Sequence, residues 1–300
     1  MTIAPIPCEH WTAALELLFG HLPDDERQPQ VEGFRARLAS GEVPAAGLLG
    51  AWRDGQLTGA ILGQVQPGRT ANVWLPRLTA DEPSDTAAAL LGAACRQFDA
   101  AGVVVAQAMP ENPSEAETAL LLRLGFEFLT DLLYLVCQHE QLPADAPPSA
   151  LEFEPFEPAA EARLARVVAA TYQQSLDCPA LNGVRAMGDV LAGYRATGRF
   201  EPRLWQLARR GGEDVGCLLL ADHPPLDAVE LVDMGVLPAA RGSGLGGQLT
   251  RQAQWLTRCQ GRGRLLLAVD ERNAPAIRAY AAAGFQAWQR RRVFVRMGKA

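Results

Sequence analysis

At 300 residues, 48% hydrophobic and 21% charged, the chain is long enough for two ordinary domains and is composed like a globular protein, not a disordered or fibrous one. A formal net charge of -6 excludes the general basic surplus that nucleic-acid binding requires, because phosphates are neutralised by clustered Lys and Arg. Six scattered cysteines without a C-x-x-C pair argue against a zinc site or a disulfide framework. No leader-like N-terminus and no run of ~18 apolar residues is evident, so the expectation is a cytoplasmic protein with no metal and no membrane partner.

In chain order, "HWTAALELLFG" and "ERQPQVEGFRARLA" predict two helices, and "LLGAWRDGQLTGAILGQV" predicts a hairpin turning at Asp54-Gly55. A strand "ANVWLP", a helix "DTAAALLGAACRQFDAAG", a strand "VVVAQAM" and a helix-strand unit "LLLRLGFEFLTDLLYLV" follow. "HEQLPADAPPSALEFEP", rich in Pro and acids without a period, then reads as a linker. The division expected from this is a first domain over 1–140, a linker over 141–150 and a second domain over 151–300.

The second half repeats the plan as ααβββαβαβ: helices in "EPAAEARLARVVAATYQQS" and "VRAMGDVLAGYRA", strands around Gly211-Gly212, and the strand "AVELVDMGVLP". After a glycine-rich turn come a helix, the strand "RLLLAV", the helix "APAIRAYAAAG" and the strand "FQAWQRRRVFVRM". "ANVWLP" stands where "DMGVLP" stands later, but no glycine follows Pro76 in "RLTADEPSD". Residues 241–300 carry eleven Arg and one Lys against Asp270 and Glu271, which places this stretch near anions. Little chain remains after the strand that follows Phe285, so the last pairing of the second sheet is expected to be borrowed from the other domain.

The turn "RGSGLGGQL" holds Gly242, Gly244 and Gly247 at G-x-G-x-x-G spacing. A nucleoside-triphosphate loop is excluded, because Gln248 stands where Lys and a hydroxyl residue are needed. A nicotinamide-dinucleotide oxidoreductase fits better, with Asp270 at the end of the next strand, ~20 residues on, where an acid binds the ribose. Against it, four residues separate the strand from Gly242, and about 50 residues beyond Gly247 are too few for a second nucleotide-binding half. Four glycines in six positions cost a helix about 1 kcal/mol for each interior glycine, so a ligand is expected to justify them. Bare amides at a helix N-terminus suit an anion.

Arg241-x-x-Gly244-x-Gly246 after a strand, followed by "NAPAIRAYAAAGF" with Asn273, Ala276, Tyr280, Gly284 and Phe285, resembles the GNAT superfamily of acyl-coenzyme A-dependent N-acyltransferases. The resemblance covers 151–300, and for 1–140 only the order of elements and the "LLRLGF" echo. It implies an α/β fold (α+β, a mixed, mostly antiparallel sheet flanked by helices) as two tandem GNAT-like domains, the first a degenerate copy. It also implies acetyl transfer from acetyl-CoA to a primary amine by direct attack on the thioester.

In that family the strand before the loop binds pantetheine through its backbone, here Met234, Gly235 and Val236. The amides of Gly242, Ser243, Gly244, Leu245 and Gly246 would hold the pyrophosphate, with Arg241 adding charge and Asn273 bonding the pantetheine arm. Tyr280 matches the tyrosine that protonates the departing thiolate. Glu230 and then Asp233 are the candidate bases; their opposite strand parity lets only one face the cleft unless a bulge intervenes. Tyr172, Asp177 and Asn182, around the loop between the two leading helices, are the substrate-side candidates.

The acceptor is expected to be a small-molecule or protein amine, and the assembly a monomer or homodimer. A non-catalytic acyl-CoA sensor is the alternative of a different class.

Overall fold

In the computed structural model, which describes residues 1–298, the chain divides into two compact units: residues 1–129 with the C-terminal segment from 292, and residues 130–291. The first unit opens with β1 (Thr2–Pro5), α1 (Trp11–Leu18) and α2 (Asp24–Ala39). β2 (Leu48–Arg53), β3 (Gln56–Gln66), β4 (Thr70–Val73), β5 (Arg77–Leu78), α3 (Asp85–Ala100), β6 (Val105–Ala108) and α4 (Glu115–Arg123) follow, before β7 (Glu127–Gln138) carries the chain into the second unit.

The second unit holds β8 (Glu152–Pro155), α5 (Glu161–Thr171), α6 (Met187–Arg195), β9 (Trp205–Arg210), β10 (Glu213–His223) and β11 (Ala228–Val236). It continues through α7 (Leu245–Cys259), β12 (Arg264–Asp270) and α8 (Ala274–Ala282) into β13 (Gln286–Met297). Both units use one plan. In the first, β1, β2, β3 and β4 pair antiparallel in that order and β4 then pairs parallel with β6; in the second, β8, β9, β10 and β11 do the same before β11 pairs parallel with β12.

The sixth strand of each sheet comes from the other half of the sequence. Leu132–Gln138 of β7 pair with β12, and Phe294–Met297 of β13 pair with β6. The borrowed pairing expected for the second sheet is therefore present. Strand pairing rather than the Pro-rich segment sets the division: residues 130–140 lie in the second unit, and that from 292 onward in the first. Two four-residue edge strands were not legible. "TIAP" and "EFEP" each show only one inward-outward cycle before a proline, and the second falls inside the stretch read as linker.

Helices cover both faces of each sheet. In the second unit, α7 and α8 pack Leu245, Leu249, Ala253, Leu256 and Tyr280 on Val229, Leu231, Leu265, Leu267 and Val269. On the opposite face α5 and α6 pack Leu164, Val167, Val168 and Leu191 on Trp205, Leu207, Cys217 and Leu219. Inward residues alternate along each strand, as a pleated sheet covered on both sides requires.

Candidate active site

The site is built where β11 and β12 part. Their parallel register runs only from Ala228 opposite Arg264 to Leu231 opposite Leu267, after which β12 continues against β7 and the far end of β11 keeps only β10 as a partner. At that point β11 bulges: Leu231 faces Leu220 and Asp233 faces Leu219, leaving Val232 without an opposite residue. A bulge of one residue inverts the alternation beyond it. Val229 and Leu231 enter the α7-side core, so Glu230 points to the other face, and after the bulge Asp233 points there too, reaching Cys217 and Tyr194.

The parity conflict between the two carboxylates is thereby removed, and their surroundings separate them. Glu230 Oε2 lies 2.9 Å from His223 Nε2, at an angle that makes no hydrogen bond. Asp233 is half-buried, with Tyr194 Oη 3.5 Å from Oδ1 and Cys217 Sγ 3.7 Å from Oδ2. Burial, helped by the Asp177 charge, pushes the Asp233 carboxyl up to about 7, because a charge deprived of water favours its neutral form.

Tyr280, on α8, is 6% exposed and packs on Phe285 at 5.5 Å between ring centroids. Its hydroxyl has no hydrogen-bond partner among the described residues. Burial raises its ionisation, with Asp177 and Asp233 adding to the shift, so the phenol stays protonated at neutral pH and available to donate.

The glycine turn follows a single helical turn at Pro238–Ala240. Gly242 and Gly244 have φ of +77°, which a side chain resists, and Gly244 caps α7 without a side-chain bond. Ser243 donates its hydroxyl to the Ala240 carbonyl at 2.7 Å, so it does not cap the helix. Gly246 and Gly247 have neither demand on them: a Cβ at either would meet nothing within 4 Å. The first amides of α7 have no intrahelical acceptor by geometry, no acid stands in its first turn, and the amides of Gly242, Ser243 and Gly244 find no acceptor among the described residues. A row of unpaired amides at the positive end of a helix, open to solvent, fits a pyrophosphate.

Arg241 does something other than the sequence suggested. Its three guanidinium nitrogens donate to the carbonyls of Val236 (3.1 Å), Gln174 (3.1 Å) and Thr171 (2.8 Å), so it clamps the turn to the C-terminal end of α5 with three of its five N–H groups. Met234 packs beside Thr250, its sulfur 3.9 Å from the hydroxyl. A Cβ on Gly235 would stand 2.3 Å from Thr171 Cβ, so only glycine allows β11 to approach α5 this closely. Asn273 caps α8 through the Ala276 amide at 3.3 Å, leaving its own NH2 without a partner among the described residues.

Tyr172 shares a 2.5 Å hydroxyl contact with Tyr194, and Asn182 donates to the Tyr172 carbonyl at 3.0 Å, tying the loop to α5. Asp177 accepts the Asp270 amide at 2.9 Å. Asp270 is fully buried and committed: Thr130 (2.7 Å), Arg272 (2.9 Å) and the Cys178 amide (3.2 Å) donate to it. Burial works to raise its carboxyl, but these donors outweigh that and hold it below the usual range. No oxygen of Asp270 faces a ribose, which removes the nicotinamide reading.

The arginine surplus near the C-terminus meets the protein's own acids: Arg262 binds Asp222, Arg290 binds Asp131 and Glu271, and Arg296 binds Asp99. Sequence reading missed Tyr194. The signal was composition, because the chain has only four tyrosines and all four, Tyr134, Tyr172, Tyr194 and Tyr280, lie in the second unit.

A mixed, mostly antiparallel sheet flanked by helices, with a glycine-rich helix start after the bulged strand, is the α+β architecture that the resemblance implies. Residues 171–285 match the Acetyltransferase (GNAT) family. A mycothiol acetyltransferase of Frankia casuarinae is 38% identical over 107 residues, 32% of this chain and 31% of that protein. One from Streptomyces bingchenggensis is 39% identical over 92 residues, 30% of this chain and 29% of that one, so the chain spans about a third of the length of these relatives.

Among solved structures, a GCN5-related N-acetyltransferase from Sphaerobacter thermophilus superimposes with a TM-score of 0.66 at 17% identity over 99% of this chain and 96% of its own. A tandem GNAT protein from the clavulanic acid biosynthesis pathway gives 0.56 at 14% identity over 100% and 99%. These two show the fold, including its tandem form.

Proposed function

We propose that the second unit is an acetyl-CoA-dependent N-acetyltransferase acting on a primary amine. The observation that carries this reading is the bulge at Val232, which turns Asp233 toward Cys217 and Tyr194 on the strand that leads into the glycine turn and its unpaired amides. When bound, acetyl-CoA supplies its acetyl group as a thioester. The amides of Gly242, Ser243, Gly244, Leu245 and Gly246 hold its pyrophosphate; the unpaired edge of Met234, Gly235 and Val236 and the free NH2 of Asn273 receive the pantetheine arm. Arg241 acts by shaping the turn.

Asp233 takes the proton of the incoming ammonium, and is preferred over Glu230 because a carboxyl near neutrality is matched to that task. With the thioester in place, the freed amine would form the C–N bond as the C–S bond breaks; Tyr280 would give its proton to the departing thiolate and be reprotonated by the second proton that the nitrogen sheds on becoming an amide. An edge amide of β11 polarises the thioester oxygen. Tyr172, Asp177 and Asn182 wall the acceptor side.

The first unit is a degenerate, non-catalytic copy in this reading. Among the described residues no helix is long and apolar enough to cross a membrane, and the six cysteines are unpaired, which supports a cytoplasmic setting.

The test is release of free coenzyme A thiol from acetyl-CoA across a panel of amines, in which mycothiol-related amines are included because of the relatives' names. Amine-dependent release that D233N abolishes supports the reading. Coenzyme A binding with no release for any amine supports the sensor instead.

A further inference from the structure

We infer that Tyr194, held by Tyr172, is a positioning residue for the base: a hydroxyl–hydroxyl–carboxyl chain sets the Asp233 carboxylate at the opening. This rests on the reading of Asp233 as the base. Tyr172 ends α5 and Tyr194 lies in the last turn of α6, so the packing of these two helices brings their hydroxyls to 2.5 Å, with Tyr194 Oη 3.5 Å from Asp233 Oδ1. The last distance is at the outer limit of a hydrogen bond, as free-enzyme contacts at catalytic groups often are before the substrate arrives.

The proton count fixes the direction of the chain. Each phenol carries one proton and an ionised carboxylate accepts only. When Asp233 is charged, Tyr194 gives its proton to Oδ1 and Tyr172 must give its own to Tyr194. When Asp233 has taken the amine's proton it becomes the donor, and both hydroxyls can reverse. The pair therefore has one arrangement for each state of the base, and the arrangement facing the charged state favours it.

The remaining groups around the carboxyl are few. The Cys217 thiol of β10 lies 3.7 Å from Oδ2, Asp177 acts from the loop after α5, and the Asp233 charge is felt by Tyr280 on α8. Arg185, just before α6, places its positive charge near both tyrosines. Burial holds both phenols well above their ordinary ionisation, with the Asp233 charge next in effect, so they remain proton donors throughout the working range. Neither thiol nor loop carboxylate can do what Tyr194 does: a buried thiol is a weak donor, and Asp177 repels.

The experiment is a 13C carboxyl NMR titration of the full-length protein as wild type, Y194F and Y172F, with the Asp233 signal assigned by its loss in D233N and coenzyme A affinity as the check on folding. In Y194F the Asp233 midpoint rises, by roughly one pH unit, because the donor to the ionised form is lost. In Y172F it rises by less, because Tyr194 still has its own proton to give. The acid limb of kcat against pH moves with the midpoint, while the KM for acetyl-CoA stays.

An Asp233 midpoint that does not move in Y194F overturns the positioning role and leaves the base intact. If Y194F loses coenzyme A affinity, Y172F decides by the same criterion. A D233N protein that still turns over removes the base itself, which is a different failure.

Discussion

The two units share a strand plan and differ where β11 parts from β12 and at the start of the helix that follows. In the first, the parallel pairing of β4 with β6 runs through Thr70, Ala71 and Asn72, and the register of β4 against β3 is regular. By the alignment of "ANVWLP" with "DMGVLP", Ala71 stands at the place of Asp233 and Val73 at that of Gly235; "LLRLGF" puts Leu121 at the place of Tyr280. Both Ala71 and Leu121 are fully buried. Strands without a bulge stay zipped where β11 and β12 open, and apolar residues occupy the places of Asp233 and Tyr280.

The helix that follows differs in the same sense. α3 has Asp85 in its first turn, and Glu82, whose side chain is 3% exposed, accepts from Thr86 in that turn and from Arg53 at 2.8 Å. α7 has no acid in its first turn and four glycines at its start. One helix N-terminus is answered by the chain's own carboxylates, and the other has no acid in its first turn.

The largest expected effect comes from removing what Ala71 already lacks. D233N lowers kcat by at least ~10²-fold with coenzyme A affinity kept, read by thiol release and calorimetry; loss of both together would make Asp233 structural. G246E gives α7 the acid that α3 has. It raises thermal stability, since Glu is a better helix former and its charge suits the N-terminus, while coenzyme A affinity falls at least ~10-fold. An unchanged affinity would detach the turn from the coenzyme.

Y280F, a step toward Leu121, lowers kcat by ~10-fold or more and leaves stability nearly unchanged, because the hydroxyl has no partner to lose. G235A, a step toward Val73, destabilises by about 1–3 kcal/mol through the clash with Thr171, read by urea unfolding. A further effect concerns pH. The Asp233 carboxyl is raised to about 7 from ~3.9 in the unfolded chain, so its favourable contribution is full below ~3.9 and lost as pH rises through 7. D233N is therefore more stable than wild type above pH 7 by a margin that shrinks toward pH 4, in paired thermal melts.

Most of the architecture was legible because it is carried by local period: the order ααβββαβαβ, the duplication and the absence of glycine after Pro76 all follow from side-chain alternation and turn residues. What was not legible depends on partners distant in sequence. The bulge at Val232 is a matter of register between β10 and β11 and leaves no mark in "VELVDMGV", so Glu230 and Asp233 could not be ranked. Arg241 matched a family position, but its use depends on the carbonyls that end α5. Asp270 sat at the right distance for a ribose, yet its buried partners come from Thr130, Arg272 and Cys178. The C-terminal arginines looked like an anion site because their acids, Asp99, Asp131 and Asp222, lie far back in the chain.

The central claim is that one unit of this tandem pair binds the coenzyme and does so at the turn Gly242–Gly247. Isothermal titration of coenzyme A into the full-length protein and into G246E tests it most directly. The account predicts one site per chain in wild type and its loss in G246E; two sites in wild type, or one that survives in G246E, would contradict it.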